Sequence, residues 1–239
     1  MLEASRRYAV IAAIVVASAA ALAVDPPDVH MNMMSDLIET VDATWSGSNY
    51  NVRYTQSTSV GEQTASLLLT TNAANDVDPR ISSAQNGDAA VVWWRDLATD
   101  VVVYRKHSYA TGAWSVERLA GAPGQSNSHP RVIYAGEKPW VAYQIQNSKN
   151  RSVGAQIIDD TPEPFTSLVA TTAYSGDLDI RLHAESGHLW LTWIDSSSYV
   201  GYSEYLYDSH YWALPAREPY AAGAVSAARS RIRNRILGL

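Results

Sequence analysis

From Leu37 onward, the chain consists of short apolar or alternating runs separated by turn residues, a pattern typical of all-β domains. Residues 78–119 contain four such runs, and we predict strands at residues 80–84, 89–94, 101–107 and 114–119. The Asn86-Gly87 pair between the first two runs is the strongest short signal for a hairpin turn. The second run is apolar at every position, which indicates that both of its faces are covered.

This four-strand unit recurs twice downstream at a period near fifty residues. Two columns keep the period, namely Arg80, Arg131 and Arg181, spaced by 51 and 50 residues, and Trp94, Tyr143 and Trp193, spaced by 49 and 50. The later strands of the recurring units are predicted at residues 153–158, 165–170, 199–205 and 211–212. Two independent columns with one period identify a repeat protein.

An earlier, degraded unit precedes the three clear ones. Trp45 lies 49 residues before Trp94, so we predict the later strands of this unit within residues 41–69. Its first strand has no clear signature, and we look for it within residues 34–40. The chain therefore offers three to four units.

A period near fifty with four strands per repeat is what the blades of a β-propeller require, because one small sheet cannot cover its own two apolar faces. The pattern P-R-I-x-x-A-x-x-G-x-x-x-V-x-W, which begins at Pro79, resembles the blades of the sialidase-like or BNR-repeat family of secreted β-propellers. Residues 108–114, S-Y-A-T-G-A-W, echo the Asp-box turn of that family without its aspartate.

The resemblance implies an all-β, propeller-like fold of three to four four-stranded antiparallel blades. Family members have six blades, so the arrangement of this chain stays open. It closes as a small four-bladed propeller, it forms an open arc that is completed by a second copy because uncovered sheet faces and edges favour association, or its strands stack in a different all-β arrangement.

The arginine column provides the first candidate site. The first strand of a propeller blade is the innermost, so Arg80, Arg131 and Arg181 are predicted to converge on one end of the central channel and to bind a carboxylate or sulfate. The resemblance implies the carboxylate of sialic acid as the ligand. The alternative is structural, with each arginine paired to an acid such as Asp78 or Asp179 and tying neighbouring blades together.

Two further candidates rest on tyrosine and tryptophan. Tyr202 and Glu204 are two residues apart, so they point the same way on a strand, and the resemblance implies that such a pair would supply the nucleophile and its acid in a sialidase. Residues beside the outer turns are candidates for a platform that stacks on sugar rings: Tyr109, Trp114, Tyr211 and Trp212.

The composition of the chain excludes several classes of function. The net charge of −6 leaves no global basic field for nucleic acid or an anionic membrane. Cysteine is absent, so neither disulfides nor a thiolate zinc site can form. The histidines do not cluster, and we predict no metal and no cofactor. The one alternative left open is a structural calcium ion in loops with Asp159, Asp160 and Glu163, or with Asp177 and Asp179.

The two ends of the chain differ from its middle. Residues 1–23 combine two arginines, an apolar run and a closing Ala-x-Ala, which predicts a signal peptide and a secreted or periplasmic protein. Residues 24–36 are interpreted as a linker, 37–216 as the β domain, and 217–239 as a basic amphipathic tail. A short C-terminal helix is predicted there, which caps the arc, touches an anionic surface or frays.

These observations favour an exported, non-catalytic binding protein whose ligand is a glycan, a polyanion or another protein. The competing hypotheses are a glycoside hydrolase of the sialidase type and a structural protein that completes a propeller by homo-oligomerisation. Membrane contact is expected only through the signal segment or the basic tail.

The interpretation of residues 1–23 gives the first testable prediction. Expression of the full chain in a secreting host should yield a mature protein that begins at Val24, because signal peptidase cleaves after an Ala-x-Ala site. Edman sequencing of the secreted product measures this directly. A product that retains Met1 would show an uncleaved anchor instead.

Overall fold

The computed structural model describes residues 27–147, 150–158, 167–172, 176–185, 187–196 and 199–219. These ranges form four antiparallel sheets, and within each sheet the first four strands are neighbours in chain order, while a short fifth strand in two of the sheets pairs with the third strand. No helix in these ranges is long and apolar enough to cross a membrane. The predicted C-terminal helix and the signal segment lie outside the described residues.

We call the four sheets blades 1 to 4. Blade 1 contains β1 (Asp28–Asn32), β2 (Leu37–Trp45), β3 (Tyr50–Ser57) and β4 (Gln63–Leu68). Blade 2 contains β5 (Asn75–Ser83), β6 (Ala89–Asp96), β7 (Val101–Ser108), β8 (Ala113–Trp114) and β9 (Arg118–Ala120). Blade 3 contains β10 (Ser126–Ala135), β11 (Lys138–Gln146), β12 (Arg151–Ile157) and β13 (Ser167–Thr172). Blade 4 contains β14 (Asp179–Glu185), β15 (His188–Ser196), β16 (Tyr199–Leu206), β17 (Tyr211–Trp212) and β18 (Ala216–Pro219).

This architecture confirms the predicted all-β, propeller-like fold of four-stranded antiparallel blades. The apolar run of β6 shows why the blades must stack. Val91 and Trp93 pack against blade 1, whereas Ala90 and Val92 on the opposite face pack against blade 3. All four side chains are fully buried. Both faces of the sheet are therefore covered, as the lack of alternation predicts.

Three apolar cores hold the four blades together, one at each of the interfaces 1–2, 2–3 and 3–4. The largest lies between blades 3 and 4, where Trp140, Tyr205 and Trp212 form an aromatic cluster with ring centroids 4.5–5.9 Å apart. Among the residues that the structure describes, no apolar core joins blade 4 to blade 1. The outward face of blade 1 is polar, with an ion pair of 2.9 Å between Arg53 and Asp42.

The structure corrects the predicted linker at residues 24–36. Asp28–Asn32 is β1, the first strand of blade 1, and it pairs with β2. The first strand therefore precedes the interval 34–40 in which we looked for it. Its sequence, DVHMN, alternates polar and apolar residues over only five positions, which is too short a run to stand out between Pro26-Pro27 and Met33-Met34.

Two further predictions needed adjustment. The fourth run of blade 2, at 114–119, is two short strands, β8 and β9, which both pair with β7. In the aromatic column, Trp93 rather than Trp94 takes the place equivalent to Tyr143 and Trp193, because each of these three faces the preceding blade. A shift of one residue on a strand reverses the face, and the Trp93-Trp94 pair concealed that shift.

Two members of this column pack over a glycine on the adjacent strand. Tyr143 lies opposite Gly154, and Trp193 lies opposite Gly201. A Cβ atom at Gly201 would stand 2.1 Å from Cε2 of Trp193, whose side chain is almost fully buried. The large ring thus depends on the missing side chain of its cross-strand partner.

We predict that Gly201→Ala lowers the free energy of unfolding by roughly 2–3 kcal/mol, because the added methyl group overpacks the core between blades 3 and 4. Chemical denaturation followed by tryptophan fluorescence measures the change. Ser66→Ala on the exposed strand β4 is the control and should change stability little. Equal stability of the Gly201→Ala variant and the wild type would contradict this packing.

Candidate functional site

The inner strands of all four blades surround one cavity of about 510 Å³. Each strand contributes at least one arginine or histidine to it: His30 from β1, Arg80 from β5, Arg131 from β10, and Arg181 and His183 from β14. The structure therefore brings the three predicted arginines together at the central channel. The carboxyl groups of Asp28 and Asp179 line the same cavity.

His30 is a member of this set that the sequence analysis missed. It lies 50 residues before Arg80, and Asp28 lies 50 before Asp78, so the repeat itself carried the signal. Burial lowers the pKa of His30, and the nearby carboxylates of Glu39 and Asp28 oppose that effect. The imidazole is therefore less basic than a solvated histidine.

A β-bulge directs two of the arginines into the channel. The register shifts between Val77 and Arg80 and again between Ser128 and Arg131. At both places a residue with positive φ precedes a proline: Asp78 at 49° and His129 at 52°. Proline has no N–H group to give to the strand ladder, which suits a bulge. Blade 4 lacks this proline, β14 pairs without a bulge, and Arg181 is 52% exposed there.

The carboxylate of Asp78 holds both bulge arginines. It forms an ion pair with Nη2 of Arg80 in its own blade and accepts a hydrogen bond of 3.0 Å from Nη1 of Arg131 in blade 3. Arg181 pairs with Asp179 at 2.8 Å within its own strand. The inter-blade tie, predicted as the structural alternative for this column, is therefore present between blades 2 and 3.

Asp28 makes an equivalent connection between blades 1 and 2. Its Oδ2 atom accepts a hydrogen bond of 2.8 Å from the backbone N–H of Ile81. Burial raises the pKa of Asp28, although this hydrogen bond and the charges of Arg80 and Arg131 favour its ionised form. The cost of burying the charge therefore outweighs the partners that stabilise it.

A fully buried carboxylate lies behind the inner strands of blades 1 and 2. Glu39 accepts hydrogen bonds from Nδ2 of Asn32 at 3.2 Å and from the hydroxyl of Tyr54 at 2.7 Å, and Ser83 donates to its other oxygen. Burial and the charge of Glu39 raise the pKa of Tyr54. Three donors satisfy this carboxylate, so it joins blades 1 and 2 and is closed to a ligand.

Tyr202 and Glu204 point to the same face of blade 4, as predicted. In the cross-strand register Tyr202 lies opposite Thr192, which in turn lies opposite Arg181. Tyr202 is thus two strands away from the arginine, roughly 10 Å at the usual strand spacing. Oε1 of Glu204 accepts a hydrogen bond of 2.9 Å from Nδ1 of His188.

The predicted aromatic platform is not assembled. Tyr109 and Trp114 belong to blade 2, whereas Tyr211 and Trp212 belong to blade 4. The prediction that Trp212 is an exposed binding residue is wrong, because this residue is 8% exposed and packs in the core between blades 3 and 4. Trp114 packs against Tyr54 with ring centroids 4.9 Å apart. Tyr109 and Tyr211 remain exposed on separate blades.

The residues considered for calcium divide into two groups. Asp159, Asp160 and Glu163 lie outside the described residues. Asp177 and Asp179 are described, and Asp177 accepts a hydrogen bond of 3.0 Å from the side chain of Gln144. Within the described part of the chain, no group of three or more acidic or histidine side chains could hold a metal ion.

Comparison with solved structures finds proteins of similar fold. The chain is similar to the intramolecular trans-sialidase from Ruminococcus gnavus, solved in complex with oseltamivir carboxylate, with a TM-score of 0.59 and 9% identity over 81% of this chain and 70% of that one. It is also similar to a leech intramolecular trans-sialidase complexed with 2,7-anhydro-Neu5Ac, with a TM-score of 0.59 and 8% identity over 81% of this chain and 50% of that one.

The fold is therefore that of the β-propellers found in sialidases. No family model and no curated protein sequence matches the chain. At this low identity the likeness shows the fold alone, and the residues of the channel have to carry the argument about function.

We predict that Asp28→Asn stabilises the protein at neutral pH. The wild type buries a charge there, and asparagine keeps an oxygen that can accept from Ile81. The pKa of Asp28 is raised in the folded state above 3.8, the ordinary value for an aspartate. The contribution of Asp28 to the free energy of unfolding of the wild type therefore falls as pH rises above 3.8. The advantage of the variant should therefore shrink toward zero below that pH.

Urea denaturation of both proteins between pH 3 and pH 7 measures the difference, a range chosen to span the ordinary carboxyl titration at about 4. Asp42→Asn, which removes the half-buried partner of Arg53 on the outward face of blade 1, is the matched control and should not stabilise. An advantage of Asp28→Asn that grows as pH falls would contradict the raised pKa.

Proposed function

We propose that this protein is an exported, non-catalytic propeller that binds a carboxylate-bearing glycan at the arginine-lined mouth of its channel. The observation that carries the proposal is the convergence of Arg80, Arg131 and Arg181 on one cavity. A guanidinium group offers a planar pair of donors that matches a carboxylate. The cavity, at about 510 Å³, has the size of a site for a small molecule.

The three arginines have different parts in this proposal. Asp78 holds Arg80 and Arg131 in fixed positions, so little side-chain entropy is lost when a ligand approaches them. Arg181 is half exposed and is paired with the similarly exposed Asp179. Exchange of that solvated pairing for a ligand carboxylate costs little, because exposed ion pairs contribute only about 0–1 kcal/mol.

The acids of the cavity favour a sugar over a simple polyanion. Asp28 and Asp179 stand beside the arginines, so the lining combines anion donors with oxygen acceptors. A polyanion would meet these carboxylates with repulsion. A sugar acid can place its carboxylate on an arginine and its hydroxyl groups on the aspartates.

The arrangement of Tyr202 and Glu204 supports binding rather than sialidase chemistry. Glu204 is engaged by His188, and Tyr202 stands two strands from Arg181. A tyrosine nucleophile needs a base beside it, and the hydrogen bond to His188 competes for Glu204 in that role.

The oligomeric state is part of the same proposal. The outward faces of blades 1 and 4 are proposed to associate with a second copy through polar contacts, since no apolar core joins these two blades in the described residues and the outward face of blade 1 is polar. Secretion or periplasmic export rests on the predicted signal segment.

We predict that Arg181→Ala weakens binding of sialyllactose and glucuronic acid at least tenfold while the fold is kept, because this arginine is the exposed carboxylate donor. Isothermal titration calorimetry measures the affinity, and the effect should diminish as salt is raised. Arg53→Ala, which removes another exposed ion-paired arginine far from the channel, is the matched control and should bind normally.

Unchanged affinity of the Arg181→Ala variant for these two ligands would contradict the proposed site. Turnover of a fluorogenic sialoside that is abolished by Tyr202→Phe would replace binding with hydrolysis.

A further inference from the structure

A second cavity, of about 580 Å³, lies at the opposite ends of the inner strands. It is lined by the turns that join the first and second strands of blades 2, 3 and 4, and by Tyr207 from the turn after β16. The arginine-lined cavity uses the earlier residues of the same inner strands. The two cavities are therefore separate sites at the two ends of the strand set.

Small residues keep this second cavity open. Ala84, Ala135 and Ala184 occupy one column of the repeat, spaced by 51 and 49 residues, and all three line the cavity. Gly136 and Gly187 form the turns with positive φ, and no atom lies within 4 Å of the Cβ position at either. A repeat that places alanine or glycine at each blade leaves a hollow that larger side chains would fill.

Two tyrosines give the cavity its aromatic surface. Tyr134 is half-buried at the end of β10, and Tyr207 is 41% exposed. The ring of Tyr207 packs edge-on against Tyr205, with centroids 5.1 Å apart and an angle of 90°. Because Tyr205 belongs to the core between blades 3 and 4, it fixes the orientation of the exposed ring. Fixed aromatic faces are what the C–H groups of a sugar ring stack on.

The polar groups of the cavity are matched to hydroxyl groups. Glu185 and Gln85 are exposed at the turns, and Ser83 already donates its proton to the buried Glu39, so its oxygen remains an acceptor. Nδ1 of His188 is engaged by Glu204, which leaves Nε2 as the second ring nitrogen. Among the described lining residues there is no lysine or arginine. A ligand carboxylate would find no cation here and would be repelled by Glu185.

We infer that this second cavity binds an uncharged pyranose ring. The ring stacks on Tyr207, and its hydroxyl groups bond to Glu185 and His188. The volume suits one or two sugar rings, since small-molecule sites span about 300–1,000 Å³. The inference does not depend on the arginine-lined mouth, because it uses different residues and a ligand of different charge.

The test is titration of the full chain with lactose, cellobiose and maltose, followed by saturation-transfer NMR and calorimetry. At least one of these uncharged disaccharides should bind, and Tyr207→Ala and Glu185→Gln should each weaken that binding at least tenfold. The matched controls are Tyr211→Ala, an exposed tyrosine outside the cavity, and Glu62→Gln, an exposed glutamate of blade 1. Both controls should bind like the wild type, and unchanged thermal midpoints confirm that the variants fold.

Three outcomes would overturn the inference. The first is that none of the three sugars binds. The second is that binding is lost in Tyr211→Ala and kept in Tyr207→Ala. The third is that Arg181→Ala abolishes binding, which would assign the sugar to the arginine-lined mouth. A competition experiment with tetramethylammonium chloride tests whether the cavity binds a cation. Stronger binding of this cation than of any sugar would show that the tyrosines and Glu185 recognise a cation instead.

Discussion

The two middle sheets of this protein, blades 2 and 3, have two apolar faces, and this one constraint shapes the rest of the molecule. Val91 and Trp93 on one face of β6, and Val92 on the other, can leave water only if a neighbouring blade covers each side. Stacking then places the first strand of every blade at the centre. Side chains that are fifty residues apart in the chain therefore meet around a common channel, and the candidate sites are a consequence of blade packing.

The polar ties between blades follow from the same geometry. Two carboxylates on the inner strands lose most of their contact with water, and each finds a partner on the next blade. Asp28 meets a backbone N–H of blade 2, and Asp78 meets Arg131 of blade 3. These contacts fix the spacing of the blades, and they also fix the arginines in the positions that a ligand would use. Architecture and recognition are therefore built from the same residues.

The two ends of the inner strands differ in chemistry because the repeat assigns different residue types to successive positions. Arginine or histidine stands at one position of each strand, and alanine or serine stands a few residues later. The same repeat thus produces a mouth lined by arginines at one end and, at the other end, a cavity with tyrosines at its rim. One ligand with an acidic and a neutral sugar, or two separate ligands, would match these two surfaces.

The sequence by itself determined the strand pattern, the fifty-residue period and the convergence of the arginines, because these depend on local alternation and on repetition. Only the tertiary structure decided which residues are covered. It showed β1 within the supposed linker, Trp93 rather than Trp94 in the aromatic column, and Trp212 in a core. The alternation of β1 covers only five residues and does not stand out from its surroundings, and adjacent tryptophans give no sign of which one faces inward. Burial in this protein is set by neighbouring blades, which local sequence does not contain.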